Sequence, residues 1–159
     1  MPRFCGACTF MRAVVQRVSE ASVETGGETV ASMGRGVVAL IGLGVGDTGT
    51  DMEYIAQKII NLRIFDDANG VMNLTLGEID GCLLLVSQFT LYGDARKGRR
   101  PSYSCAMPPA EAAGKFAEFT ALCRSIYPKV HEGVFGADMS LQLINEGPVT
   151  ILLDSSKLF

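Results

Sequence analysis

The chain contains a single histidine, His131, in 159 residues. A Ser-His-Asp or Cys-His site needs a histidine beside its nucleophile. His131 sits next to Glu132 at an expected strand start, without that context, and reads as a surface or structural residue. Metal ligands are equally scarce. Cys5 and Cys8 make one CxxC in "CGAC", but no second CxxC and no HxxxH completes a zinc site. A redox CxxC follows a strand and opens a helix, whereas this one precedes all patterned sequence and reads as part of a ragged extension. No metal and no cofactor are expected. No run approaches the roughly 20 apolar residues of a membrane span, and the first ten residues lack the apolar stretch of a secretory signal. There is no GxxxxGK[ST] loop, and the glycines of "GLGVGD" have the wrong spacing for a dinucleotide fingerprint. Charge of one sign is also missing: 14 basic and 17 acidic side chains leave a net charge of −3. Any RNA partner must therefore meet a local basic patch. Five cysteines, odd in number and scattered, form a poor disulfide framework and point to a reducing compartment. The expectation is a cytoplasmic protein.

What remains is a chain with 48% apolar residues, sized for one domain with a real core. From Met11 onward it is patterned. "RAVVQRVSEASVE" and "VASM" flank "TGGET" and predict a hairpin. "GVVALIGLGV" is an apolar run between glycines, a strand covered on both faces. "TGTDMEYIAQKIINLR" predicts a helix with Met52, Ile55, Ile59 and Leu62 as its buried stripe, and Thr50 with Glu53 matches a capping box. A short strand over 63–65 ends at the "DDANG" turn, and "VMNLTL" and "GCLLLVSQFTL" are strands separated by the Asp80, Gly81 turn. "PPAEAAGKFAEFTALCRSI" predicts a second helix, with Pro109 in its first turn and a stripe of Ala112, Phe116, Phe119, Cys123 and Ile126. The tail predicts strands around Val134, over 141–144 and over 149–153. Mixed order with two helices makes this an α+β fold: one domain, mixed β-sheets in a barrel-like core.

Three stretches stand out. In "LLLVSQFTLYGD" a strand buried on both faces turns polar without a turn residue. Read as a continuing strand, Ser87 and Phe89 extend the face of Leu83 and Leu85, while Gln88 and Thr90 extend that of Leu84 and Val86. Strand ends emerging from a core are rigid places to mount a site; the alternative is that these groups bond a neighbouring loop. In "NEGPVT", Asn145 to Thr150, proline removes a ladder donor and an X-Pro bond has ready access to the cis form; the alternative is an ordinary hairpin turn. In "ARKGRRP", Arg96, Lys97, Arg99 and Arg100 fall within five positions of an acidic chain. Such a loop holds phosphates, or is simply solvated.

Together, "MRAVVQRVSEASV", "VSQFTLYGD", "GRRPSYS" and "VFGADMSLQLINEGPVTILLDS" resemble the D-aminoacyl-tRNA deacylase (D-tyrosyl-tRNA deacylase) family, from Met11 to about Ser155. SQxTL and NxGPVT in this order form a specific pair. The resemblance implies a deacylase domain over 11–159 behind a flexible extension over 1–10. It implies a hydrolase that cleaves the ester of D-aminoacyl-tRNA, admits glycyl-tRNA and rejects L-aminoacyl-tRNA, as chiral proofreading in translation. Ser87, Gln88, Phe89 and Thr90 match the strand that lines the pocket for the 3′-terminal aminoacyl-adenosine. The family is a homodimer with the active site at the subunit interface. The Gly147–Pro148 bond would be cis and enter the partner's pocket, flanked by Asn145, Val149 and Thr150. Phe135, Ala137 and Met139 would enclose the adenine, and Arg96, Lys97, Arg99 and Arg100 would meet tRNA phosphates. A related branch carries proline where Ser87 stands and differs in chiral preference. A non-catalytic RNA-binding or scaffold protein on the same fold is expected to lose SQxTL or GPVT, and this chain keeps both.

Overall fold

A computed structural model of the chain describes residues 10–159. The CxxC and the rest of the extension through residue 9 lie outside the described residues. Strand β1 (Arg12–Thr25) turns through Gly26 and Gly27 into β2 (Glu28–Met33). Both glycines have positive φ, +58° and +80°, the conformation a two-residue hairpin loop demands. Next come β3 (Gly36–Gly42), α1 (Gly49–Asn61), the small hairpin β4 (Phe65–Asp66) and β5 (Met72–Leu74), and β6 (Cys82–Ser87). A 3-10 turn (Phe89–Tyr92), α2 (Pro109–Ile126), β7 (Val130–Glu132) and β8 (Ser140–Asp154) complete the fold.

The main sheet runs β2-β1-β3-β6-β7, with β8 on the other edge of β1. β3, β6 and β7 are mutually parallel, so the chain crosses over twice, through α1 and then α2. β2 comes against β7, nearly closing the sheet into a barrel. Alternation explains why β3 and β6 read as continuous apolar runs. Val37, Ala39, Ile41, Leu83 and Leu85 face the helices, packing with Ile55, Ile59, Phe116 and Phe119. Val38, Leu84 and Val86 face the curl of the barrel with Val18, Val23 and Met33. β3 and β6 approach so closely that a Cβ on Gly36 would fall 1.9 Å from the Cys82 carbonyl oxygen.

Five expectations are corrected. β6 ends at Ser87: its partner β3 stops at Gly42, and the Gln88 N–H makes the closing bond to the Ile41 carbonyl at 2.7 Å. Phe89–Tyr92 then winds into a 3-10 turn, drawn inward by the buried Tyr92, whose hydroxyl lies 3.0 Å from the Gly42 carbonyl oxygen. Phe89 and Thr90 therefore do not continue the two strand faces. The last two strands are one: 140–145 and 150–154 pair with the same partner, β1, and residues 146–149 bulge out opposite Arg17. "NEGPVT" is thus no hairpin. Val134 lies beyond β7, exposed in a turn. Helix α1 is capped by Thr48 and Asp51 in place of Thr50 and Glu53: the Asp51 carboxylate accepts from the Thr48 N–H at 2.8 Å and its hydroxyl at 2.9 Å. Finally, Cys82 and Cys123 carry free thiols but Cys105 is disulfide-bonded, against the expectation of reduced cysteines throughout.

Candidate active site

An open cavity of about 620 Å³ lies at the carboxyl ends of β3 and β6, beside the first turn of α2. Strand ends that emerge from a packed core are rigid places to mount a site. Ile41 and Leu43 floor the cavity; Ser87, Gln88 and Phe89 form one wall, the segment from Tyr103 to Pro109 with Ala112 another, and Phe135 with Gly136 a third. The Phe135 ring packs on Phe116 of α2 at 5.9 Å. The 103–109 wall is tied to the end of β3 through the Met107 N–H to the Leu43 carbonyl (2.9 Å) and the Val45 N–H to the Cys105 carbonyl (3.1 Å).

The described lining holds hydroxyls, an amide and apolar groups, with no carboxylate, imidazole or amine. Gln88 Nε2 bonds to Thr90 Oγ1, which orients both side chains of the turn. The first bond inside the turn is Leu91 N–H to the Gln88 carbonyl, 3.3 Å, so the peptide N–H groups of Phe89 and Thr90 come before its ladder. Such donors stabilise an oxyanion without any titratable partner. His131 lies on β7 opposite Leu84, outside this lining.

The sequence-expected residues separate into two places. Ser87, Gln88, Phe89 and Phe135 meet in the cavity, with Thr90 joined to Gln88. Ala137 donates to the Val134 carbonyl in the turn after β7, and Met139 packs on the barrel-side core; neither lines the cavity. The second place is the bulge on β8. Gly147–Pro148 is cis and exposed. Asn145 clasps the base: its Oδ1 accepts the Val149 N–H and its Nδ2 donates to Thr150 Oγ1, both at 3.0 Å. Gly147 has φ +124°, and a Cβ there would come within 2.9 Å of Val149 Cγ2 and 3.0 Å of Arg17 Nη2.

Arg17 was missed as a site residue. It is buried on β1, donating to the Glu146 carbonyl (3.0 Å), the Ile64 carbonyl (2.9 Å) and the Asp66 carboxylate (3.4 Å). Its signal was an arginine inside the apolar run "VVQRV", where an unpaired charge is too costly to bury. The bulge does not serve its own cavity. Ser87 is level with Ile41 and Arg17 with Val37, four residues apart on β3, and β8 is three strand spacings from β6. That is about 13 Å along the strands and about 14 Å across them.

The basic loop is closed at its base by a two-way backbone bridge between Asp94 and Ser102, at 2.8 and 2.9 Å. Arg96 folds back onto the Asp94 carboxylate through Nε and Nη2, and its hydrogen bonds hold that carboxyl below the usual range. Lys97, Arg99 and Arg100 are exposed.

A family profile described as D-Tyr-tRNA(Tyr) deacylase matches residues 14–154. A protein of Thermosipho africanus named D-aminoacyl-tRNA deacylase is 56% identical, over 94% of this chain and all of its own length. One of the same name from Clostridium botulinum is 52% identical over the same shares. Among solved structures, one described as c-Myc DNA Unwinding Element Binding Protein superposes with a TM-score of 0.86 at 40% identity, covering 89% of this chain and 97% of its own. A probable eukaryotic D-amino acid tRNA deacylase superposes with a TM-score of 0.80 over 92% of this chain and all of its own; at 18% identity that likeness concerns the fold.

Proposed function

The chain belongs to the D-Tyr-tRNA(Tyr) deacylase family, and we propose how it works as one. It is a hydrolase that releases D-amino acids from D-aminoacyl-tRNA, a chiral proofreading activity. In our reading the terminal aminoacyl-adenosine enters the cavity, Phe135 bounds the adenine side, and the ester carbonyl lies over the turn at Phe89. Water adds to the carbonyl carbon, the two N–H groups of Phe89 and Thr90 take the oxyanion, and the bond to the ribose 3′ oxygen breaks as that oxygen gains a proton. An ester is labile enough for positioning and oxyanion stabilisation to suffice. The ribose 2′-hydroxyl assists, and Thr90 is not a covalent nucleophile, because no base among the described residues lines the cavity to activate it.

The observation that carries the reading is the separation of the β8 bulge from its own cavity. The bulge is clasped by Asn145 and Arg17, yet none of its residues lines the cavity of its own subunit. A homodimer in which each bulge enters the other subunit's cavity gives it a role. Among the described residues β8 pairs along one edge only, and it exposes Ile144 and Leu152, a surface suited to a second copy. Backbone carbonyls of Gly147 and Pro148 then read the substrate α-carbon. They exclude an L side chain, ignore which D side chain is present, and admit glycyl-tRNA. Lys97, Arg99 and Arg100, with Arg96, face tRNA phosphates. The domain is 11–159, and the family's role in translation places the protein in the cytoplasm. No helix among the described residues is long and apolar enough to cross a membrane.

Deacylation of matched D- and L-tyrosyl-tRNA, run alongside sedimentation, tests this. Hydrolysis of the D ester alone by a dimer is expected. Equal hydrolysis of both esters, or full selectivity in a monomer, would remove the bulge from the mechanism.

A further inference from the structure

The rim of the cavity carries two aromatic rings that the reacting ester does not need. Phe89 is 57% exposed and Tyr103 38% exposed. Their centroids are 5.1 Å apart and their planes meet at 73°. In an edge-to-face pair one ring keeps both faces free of its partner, and the other keeps one. Tyr103 is held in place: its carbonyl accepts the Ala106 N–H at 3.0 Å, and its ring lies so near Gly93 that a Cβ there would be 3.2 Å from Cε1. Its neighbour Ser102 forms the two-way bridge to Asp94 that closes the basic loop. The aromatic pair thus lines the cavity and, through Tyr103, adjoins the base of the loop that carries Lys97, Arg99 and Arg100. Rigid, exposed rings beside cations are the recurring means of holding single-stranded nucleic acid: each base stacks on a ring, and the backbone follows the charge.

We propose that Phe89 and Tyr103 form a stacking platform for the unpaired nucleotide that precedes the terminal adenosine, while the basic loop takes the phosphates beyond it. This rests on the reading that the aminoacyl-adenosine fills the cavity. The platform reads no sequence, since every base presents a π-face. It adds affinity that survives salt, whereas the loop's share falls as salt rises.

The test compares three D-tyrosyl esters: of adenosine, of cytidylyl-adenosine, and of the same dinucleotide with an abasic first sugar. The unaltered protein should prefer the full dinucleotide over adenosine by about tenfold in kcat/KM, within the range of one base–aromatic stack. The abasic dinucleotide keeps the phosphate and should lose most of that preference. Tyr103→Leu should bring the dinucleotide-to-adenosine ratio close to one, and Tyr103→Phe, which keeps the ring, should retain it. An unchanged ratio in Tyr103→Leu, or an abasic ester as good as the full dinucleotide, would overturn the platform. An unaltered protein inactive on all three esters would instead overturn the reading of the cavity itself.

Discussion

Arg17 donates from Nε to the carbonyl oxygen of Glu146, the residue before Gly147, at 3.0 Å. The same buried guanidinium reaches the Ile64 carbonyl and the Asp66 carboxylate. One side chain therefore joins the β8 bulge to the β4–β5 hairpin, and its planar fork is what spans the acceptors.

Arg17→Lys should hold one acceptor and strand another. The expected cost is about 1–3 kcal/mol of stability. Discrimination between D- and L-tyrosyl-tRNA should fall as well, because the bulge loses its brace. Thermal denaturation and the ratio of the two deacylation rates, measured together, check this. Undiminished discrimination in a destabilised variant would mean that Asn145 alone holds the bulge.

Thr90→Ala should keep substantial activity, since Thr90 contributes its peptide N–H and a hydrogen bond to Gln88. A 2′-deoxy terminal adenosine should slow the unaltered protein more than this substitution does. The opposite order, or an acyl group trapped on Thr90, would establish a covalent route.

Arg99→Ala with Arg100→Ala should raise KM for aminoacyl-tRNA and flatten its salt dependence, because fewer counterions are released on binding. Neither residue has a salt-bridge partner among the described residues, so stability should change little. A salt slope equal to that of the unaltered protein would make the loop a merely solvated surface.

Asp47 has a testable pH signature. It is 7% exposed, and burial, followed by the Asp51 and Asp154 carboxylates, pushes it up to about 7 against the Gly44 N–H that it accepts at 2.7 Å. Its other oxygen has no partner among the described residues. Between about pH 4 and about pH 7 the folded chain holds a proton that the unfolded chain releases, so this contribution to stability falls as pH rises across that window and levels off above it. Asp47→Asn keeps the acceptor and should flatten the decline, denaturing several degrees higher than the unaltered protein at pH 8. Parallel pH profiles of melting temperature would assign the titration elsewhere.

Local signals were the legible ones. The Gly26, Gly27 turn, the doubly covered β3 and the stripes of α1 and α2 follow from glycine geometry and apolar spacing within a few residues. What the chain concealed depends on distant partners. Nothing near Gln88 says that β3 stops at Gly42, so the 3-10 turn at Phe89 was read as more strand. Nothing near Pro148 says that both flanks pair with one strand more than 100 residues away, so one bulged β8 was read as two strands. The cavity was half visible: SQxTL and Phe135 stood out, whereas Met107, Pro108 and Ala112 reach it only because Leu43 binds their segment. Arg17 was visible as an anomaly, but its acceptors are backbone carbonyls, which no sequence displays.

The pairing of β1 with β8 also governs when the protein can come into being. Residues 12–24 wait for residues 140–154, which are synthesised on the order of 10 s later at typical elongation rates. Until then β1 has partners on one edge only, and the bulge and its Arg17 brace do not yet exist. Contacts of such sequence separation also slow folding. A chain cut short before residue 140 lacks the bulge and its brace and leaves a long strand edge open to aggregation.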